Sequence, residues 1–194
     1  MMKKFLAIVA SLFLVAAVAG CSTTAAPKDL YNQTPNWSLC EGGVFQCATV
    51  QVPIDWDKPE GKTFALALIR KVTNKAIGSL VLNPGGPGGS GYDFLKNNWA
   101  DLGTNDLRSA YTFVSFDPRG VSRSAGVKCL NAKDTDHLLY DSNDAEFGSA
   151  EDLKIQRTEI KKFVTACEKN TGAVLGNLDT VSAAKDLEVI RGAL

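Results

Sequence analysis

The residues best placed to do chemistry form the run Asn83-Pro84-Gly85-Gly86-Pro87-Gly88-Gly89-Ser90-Gly91. Five glycines fall between Gly85 and Gly91, and each removes a side chain that would hold a ligand away from the backbone. Bare N–H groups in such a loop can point at a developing negative charge, which is oxyanion-hole chemistry. A phosphate loop is built in the same way but ends in Gly-Lys-Ser or Gly-Lys-Thr, whereas here Ser90-Gly91-Tyr92 follows. The dinucleotide spacing G-x-G-x-x-G occurs at Gly86, Gly88 and Gly91, but it is a weak signal in so glycine-rich a stretch. Pro87 also removes an N–H that a pyrophosphate would use. A flexible linker is the plain alternative.

A second run, Phe116-Asp117-Pro118-Arg119-Gly120-Val121-Ser122-Arg123-Ser124, sets charges of both signs around a Pro and Gly turn. Taken alone, Arg119 reads as a solvated turn charge of the kind that adds little to stability. Ser182-Ala183-Ala184-Lys185 fits S-x-x-K, in which a lysine activates a serine one helical turn away, but the companion S-D-N and K-T-G motifs are missing. His137 is the single histidine, and it stands among Asp134, Asp136 and Asp141, which reads as a surface position rather than a general base. No G-x-S-x-G occurs, so these residues do not assemble a serine-histidine-aspartate triad.

Strands and helices must hold these runs. Residues 48–52 and 63–72 are apolar-rich and flank a Pro, Asp and Gly turn segment, which predicts a β-hairpin. Residues 79–82 form a short apolar run ending at the glycine loop and predict a strand buried on both faces. A short helix over 92–100 and a strand over 111–117 follow, the latter delivering Asp117 and Arg119. Residues 129–148 are polar and acidic without clear periodicity and read as a surface excursion. Ser149 opens a helix, with Asp152 imitating a capping box and Leu153, Ile160, Phe163, Val164 and Cys167 on one face. A last helix begins near Thr180, with Ala183, Leu187, Ile190 and Leu194 in helical register. No glycine cap or basic last turn closes it, so the chain is expected to end inside a periodic helix.

The first residues speak to address rather than fold. Lys3 and Lys4 precede an apolar run of about 14 residues, short of the roughly 20 a membrane-spanning helix needs. Small residues then lead into Cys21. This predicts a cleaved export signal over residues 1–20, followed by a small, polar, proline-containing tether over 21–29. The body over 30–194 is about 165 residues, enough for one core. The formal net charge is zero, and loss of Lys3 and Lys4 leaves the mature chain slightly acidic, so nothing suggests nucleic acid and no such partner is expected. Besides Cys21, the cysteines are Cys40, Cys47, Cys129 and Cys167, an even set in a chain sent to an oxidising compartment. Cys40 and Cys47 flank the turn-like Glu41-Gly42-Gly43 and are expected to pair, leaving Cys129 with Cys167, a bond that would add roughly 2–5 kcal/mol. Zinc would want C-x-x-C pairs or histidines, so no metal is expected.

Taken together, strand, G-G-P-G loop, helix, strand and D-x-R-G-x-x-x-S resemble the proline-iminopeptidase group of α/β-hydrolases. The N-P-G-G-P-G-G-S-G loop, Asp117-Pro118-Arg119-Gly120-Val121 and the helix Thr180-Val181-Ser182-Ala183-Ala184-Lys185-Asp186-Leu187 most resemble its secreted tripeptidyl aminopeptidase relatives in actinobacteria. The first residues likewise resemble a bacterial lipobox, which implies a diacylglyceryl group on Cys21 and a membrane-anchored, outward-facing protein. The likeness implies an α/β fold, the N-terminal part of an α/β-hydrolase sheet, stopping before the nucleophile elbow. In that group the loop reads H-G-G-P-G, so Pro84 takes the histidine place, Gly85 and Gly86 match, and Gly86 N–H is implied as the oxyanion donor. Asp117 and Arg119 are implied to brace the loops beside the active site, and Ser122 stands where relatives often carry glycine. The resemblance implies short peptides as substrates of a completed enzyme and no cofactor. Inactivity of the chain alone is expected, since nucleophile, acid and histidine would lie further on. A non-enzymatic surface lipoprotein derived from a hydrolase, or another hydrolase such as an esterase, are the alternatives.

Overall fold

A computed structural model describes residues 29–194. The expected signal over 1–20, the lipidation site Cys21 and the tether up to residue 28 lie outside the described residues. The sheet grows from one hairpin. Strand β1 (Ser38–Cys40) pairs with β2 (Phe45–Pro53), which runs antiparallel to β3 (Thr63–Lys71). The connection closes through Ile54 N–H on the Lys62 carbonyl and a turn whose Asp55 carboxylate accepts from Asp57 N–H. This is the hairpin read from the sequence. Cys40 and Cys47 are bonded across the turn that joins β1 to β2, and Cys129 is bonded to Cys167, the pairings their spacing suggested.

Strand β4 (Gly78–Leu82) leads through α1 (Gly91–Asn98) and the short α2 (Asn105–Ala110) to β5 (Tyr111–Phe116), which lies parallel to β4 and antiparallel to β3. The order β1-β2-β3-β5-β4 makes a mixed five-stranded sheet with helices on it, an α/β arrangement. Its pleat sends alternate residues to opposite faces. Val50, Val52, Leu66, Leu68 and Phe116 pack under Val189 and Ile190 of helix α5 (Thr180–Ala193). On the other face Ile69 and Phe113 pack against Tyr92 and Leu95 of α1. Each fully covered aliphatic side chain contributes about 1.5–3 kcal/mol, so these two cores hold the sheet between its helices.

Four expectations need correction. Strand β4 is not buried on both faces: residues 78–79 are exposed and 80–82 half-buried. Leu80 and Leu82 reach one core and Val81 the other, but among the described residues only β5 pairs with β4, leaving its second edge open. The excursion over 129–148 contains helix α3 (Ala132–Tyr140), capped by Asn131 on Asp134 N–H. It buries no residue, so no apolar period marks it. Helix α4 (Ala150–Thr171) starts as foreseen, Ser149 Oγ accepting from Asp152 N–H, yet Leu153, Ile160 and Val164 are exposed. Its C-terminal end is fastened by the Cys129–Cys167 bond and by hydrogen bonds to Lys128 and Cys129, not by the sheet. Helix α5 buries Ser182, Asp186, Val189 and Ile190 rather than Leu187 and Leu194, and its last turn does carry a basic residue, Arg191, where none was expected. The polar partners of Asp186 and the Tyr31 backbone packed against Gly192 decide that face.

Candidate active site

The glycine loop leaves the carboxyl end of β4 and enters α1. Asn83 Oδ1 accepts from Gly85 N–H at 3.1 Å, turning the chain away from the strand. Gly85, Gly86 and Gly88 then take φ of 77°, 134° and 93°, a region side chains rarely allow, which explains glycine at these positions. The Gly86–Pro87 peptide is cis. Ser90 closes the loop: its Oγ accepts from Asp93 N–H at 2.9 Å as the N-cap of α1 and donates to Asp117 Oδ1 at 2.5 Å. At Gly91 the backbone rests on the Phe116 carbonyl and Ser115 Oγ, where an added Cβ has no room. The loop is thereby seated on the end of β5.

Asp117 is fully buried at that strand end. Besides Ser90 it accepts from the backbone N–H groups of Tyr92 and Arg123, at 3.3 and 3.1 Å, and from Arg123 Nη1 at 3.2 Å. It joins the start of α1 to the turn after β5. Arg123 lies 3.9 Å over the Tyr92 ring and donates to both carboxylate oxygens of Asp93, at 3.0 and 3.2 Å. Those bonds hold the Asp93 carboxyl below its ordinary range. Tyr92 donates to Glu41 Oε1 at 2.8 Å, and burial, with this bond and the Glu41 charge, pushes its phenol up to about 12.

Arg119 is no solvated turn charge, being 5% exposed. Its Nε and Nη2 donate to Asp186 Oδ2 and Oδ1 at 2.7 and 2.6 Å. Nη1 donates to the Asn177 and Ile54 carbonyls and Nη2 to that of Pro53. One side chain thus pins the end of β2, the turn after β5 and the body of α5 together. Trp56 Nε1 donates to Asp186 Oδ1 at 2.9 Å. Burial pushes the Asp186 carboxyl up, against the lowering effect of Arg119. Ser122 adopts φ +42°, in the left-handed region that favours glycine. Ser124 Oγ, fully buried, accepts from Ala67 N–H at 2.9 Å and locks the turn to β3.

Between the glycine loop, the turn over 118–121 and the start of α5 lies an open cleft of about 520 Å³, bordered by Gly85, Gly86 and Arg119. The other candidates stand in different settings. Ser182 Oγ donates to Asp179 Oδ2 at 2.6 Å, while the Lys185 ammonium lies over the Trp56 ring, so the S-x-x-K pair is engaged elsewhere. His137 is exposed on α3 with Nδ1 2.6 Å from Asp141 Oδ2. Among the described residues no cluster of three or more His, Cys, Asp or Glu could hold a metal. Sequence reasoning did not single out Asp186, Arg123 or Trp56. For Asp186 the signal is an acid in the same helical register as Ser182 and Ile190; Arg123 and Trp56 carry no local signal, because their partners are distant in sequence.

No family model matches the chain. It is 35% identical over 185 residues to the tripeptidyl aminopeptidase of Streptomyces lividans, covering 92% of this chain and 34% of that protein. It is 36% identical over 192 residues to the serine protease Hip1 of Mycobacterium tuberculosis, covering 93% and 36%. Carboxylesterase B of Mycobacterium tuberculosis is 33% identical over 151 residues, covering 76% of this chain and 29% of that protein. The chain therefore spans about a third of the length of these relatives, which are by name an aminopeptidase, a serine protease and a carboxylesterase. At 34–36% identity over nearly its whole length, the chain is related to the α/β-hydrolase-related aminopeptidase group, over about a third of the length of the relatives it matches.

Proposed function

We propose that this chain is the oxyanion-loop portion of an exported, lipid-anchored serine exopeptidase that removes short peptides from a free N-terminus. The observation that carries the reading is where the glycine loop stands. It leaves β4, whose second edge is unpaired among the described residues and whose Leu80 and Leu82 join the core under α1 while Val81 joins the core under α5. A parallel strand added beyond that edge would make this a topological switch point, and in such sheets ligands bind outside the carboxyl ends of the strands. A nucleophile delivered there by further sequence would attack a peptide carbonyl beside Gly86. The carbonyl oxygen would take up the negative charge and Gly86 N–H would donate to it, an effect worth about 10²–10³ in rate. Collapse of that intermediate would expel the amine and leave an acyl-enzyme for water to hydrolyse.

On this reading the 194 residues alone are inert. Ser90 and Ser182 each donate to a carboxylate and have no imidazole beside them to take a proton. The test is exposure of the purified mature chain to a fluorophosphonate serine probe and to tripeptide amides. Neither labelling nor amide release is expected; labelling of Ser90 or Ser182 would overturn the reading. An esterase is the second reading, favoured by the relative named carboxylesterase B. Preference of the completed enzyme for aryl esters over tripeptide amides would select it.

A further inference from the structure

The cleft beside Gly86 has walls as well as a backbone donor. Pro87 lines it on the loop side, and Val121, Leu178 and Ala183 face it from the turn and from the entry to α5. Leu178 is seated on Gly120, where an added Cβ would lie 2.7 Å from Leu178 Cδ2, so that leucine is held in the wall. Val127 stands at the mouth, 41% exposed. The volume, about 520 Å³, is within the range of small-ligand sites.

Two charged residues border the cleft. The Arg119 guanidinium is committed to Asp186 and to three backbone carbonyls, so it is not a counter-ion for an incoming carboxylate. Asp179 is exposed at the rim, and its carboxylate accepts from both the N–H and the hydroxyl of Ser182. As the N-cap of α5 it also occupies the helix end that would otherwise attract an anion. An acidic side chain entering here would lose water against Leu178 and Val121 and meet a like charge at Asp179.

We infer that this cleft is a side-chain subsite which takes an apolar residue of the peptide and excludes Asp or Glu, an inference that rests on the hydrolase reading above. The preference follows from what surrounds the site: apolar walls, a carboxylate at the rim, and an arginine already paired. Discrimination on the order of 10- to 100-fold is what apolar pockets of this kind deliver.

The experiment measures binding of tripeptide coumarin amides, with free N-termini, to the mature chain by fluorescence anisotropy, with backbone amide shifts locating the contact. Each of the three peptide positions carries Leu or Glu in turn. At one position the Leu peptide should bind at least about ten-fold tighter, with shifts at Gly86, Gly120 and Leu178. Val127→Lys, a change at an exposed site that should leave the thermal melt unaltered, should abolish or reverse that preference, while Val127→Leu should keep it. Peptides that bind at Gly86 with Leu and Glu alike at every position, or a preference untouched by Val127→Lys, would overturn the subsite and leave the hydrolase reading standing. Failure of every peptide to bind would likewise overturn the subsite, whereas labelling of Ser90 or Ser182 by the fluorophosphonate probe would overturn the hydrolase reading itself.

Discussion

Replacing Asp186 by alanine tests how the walls of the candidate site are held. The change deletes two bonds to the Arg119 guanidinium, at 2.7 and 2.6 Å, and removes the acceptor of Trp56 Nε1. Arg119 keeps the Pro53, Ile54 and Asn177 carbonyls, but its charge loses its carboxylate partner where its side chain is 2% exposed. Removing one partner of a buried ion pair costs about 3–5 kcal/mol, because the other charge stays behind uncompensated. Against a total stability of about 5–15 kcal/mol that is a large share. At about 2–4 °C per kcal/mol for a chain of this size, the melting temperature should fall by about 6–20 °C. Urea and thermal unfolding of the mature chain, followed by circular dichroism, measure it. The double variant Arg119→Met with Asp186→Leu leaves no orphaned charge and should be more stable than Asp186→Ala alone. A loss below about 1 kcal/mol, the range of exposed pairs, would refute the reasoning, as would a double variant no better than the single.

Ser90→Ala removes the cap of α1 and one donor to Asp117 together, and should cost about 1–2 kcal/mol in the same unfolding assay. Tyr92 is protonated in both states below the ordinary tyrosine range near 10, and above it only the unfolded chain ionises, until the folded phenol follows at about 12. Stability should therefore decline between those values as pH rises, and Tyr92→Phe should flatten that decline in alkaline melts. Ultraviolet titration should show a tyrosine ionisation at about 12 that Tyr92→Phe removes. Cys21→Ala should abolish incorporation of an alkyne fatty acid in cells and release the protein from the membrane fraction, whereas persistent lipid labelling would refute the anchor.

What could be read in advance was local. Alternation and turn residues gave the hairpin, an apolar run followed by glycines gave β4 and its loop, and spacing across a Gly-Gly turn gave the Cys40–Cys47 bond. The glycine loop and the Asp117-Arg119 turn were legible because close backbone approach and turn geometry restrict residue type within a few positions. The long-range pairings were not. Arg119 and Asp186 are 67 residues apart, Trp56 and Asp186 130 apart, and no window of sequence relates them. The same pairing rotates α5 so that Asp186 is covered and Leu187 partly exposed, against the apolar count. Leu153, Ile160 and Val164 in α4 likewise show a helical period without a covering layer among the described residues, since periodicity reports the shape of a face and not what meets it.

The central claim is that this chain supplies the oxyanion loop to a serine nucleophile carried elsewhere in the same hydrolase. Sequencing the DNA downstream of codon 194 tests it most directly. The account predicts an open frame encoding a short apolar strand, a G-x-S-x-G elbow and then an Asp and a His. Downstream sequence with no elbow in any frame would contradict it and leave a non-enzymatic surface protein built on a hydrolase sheet.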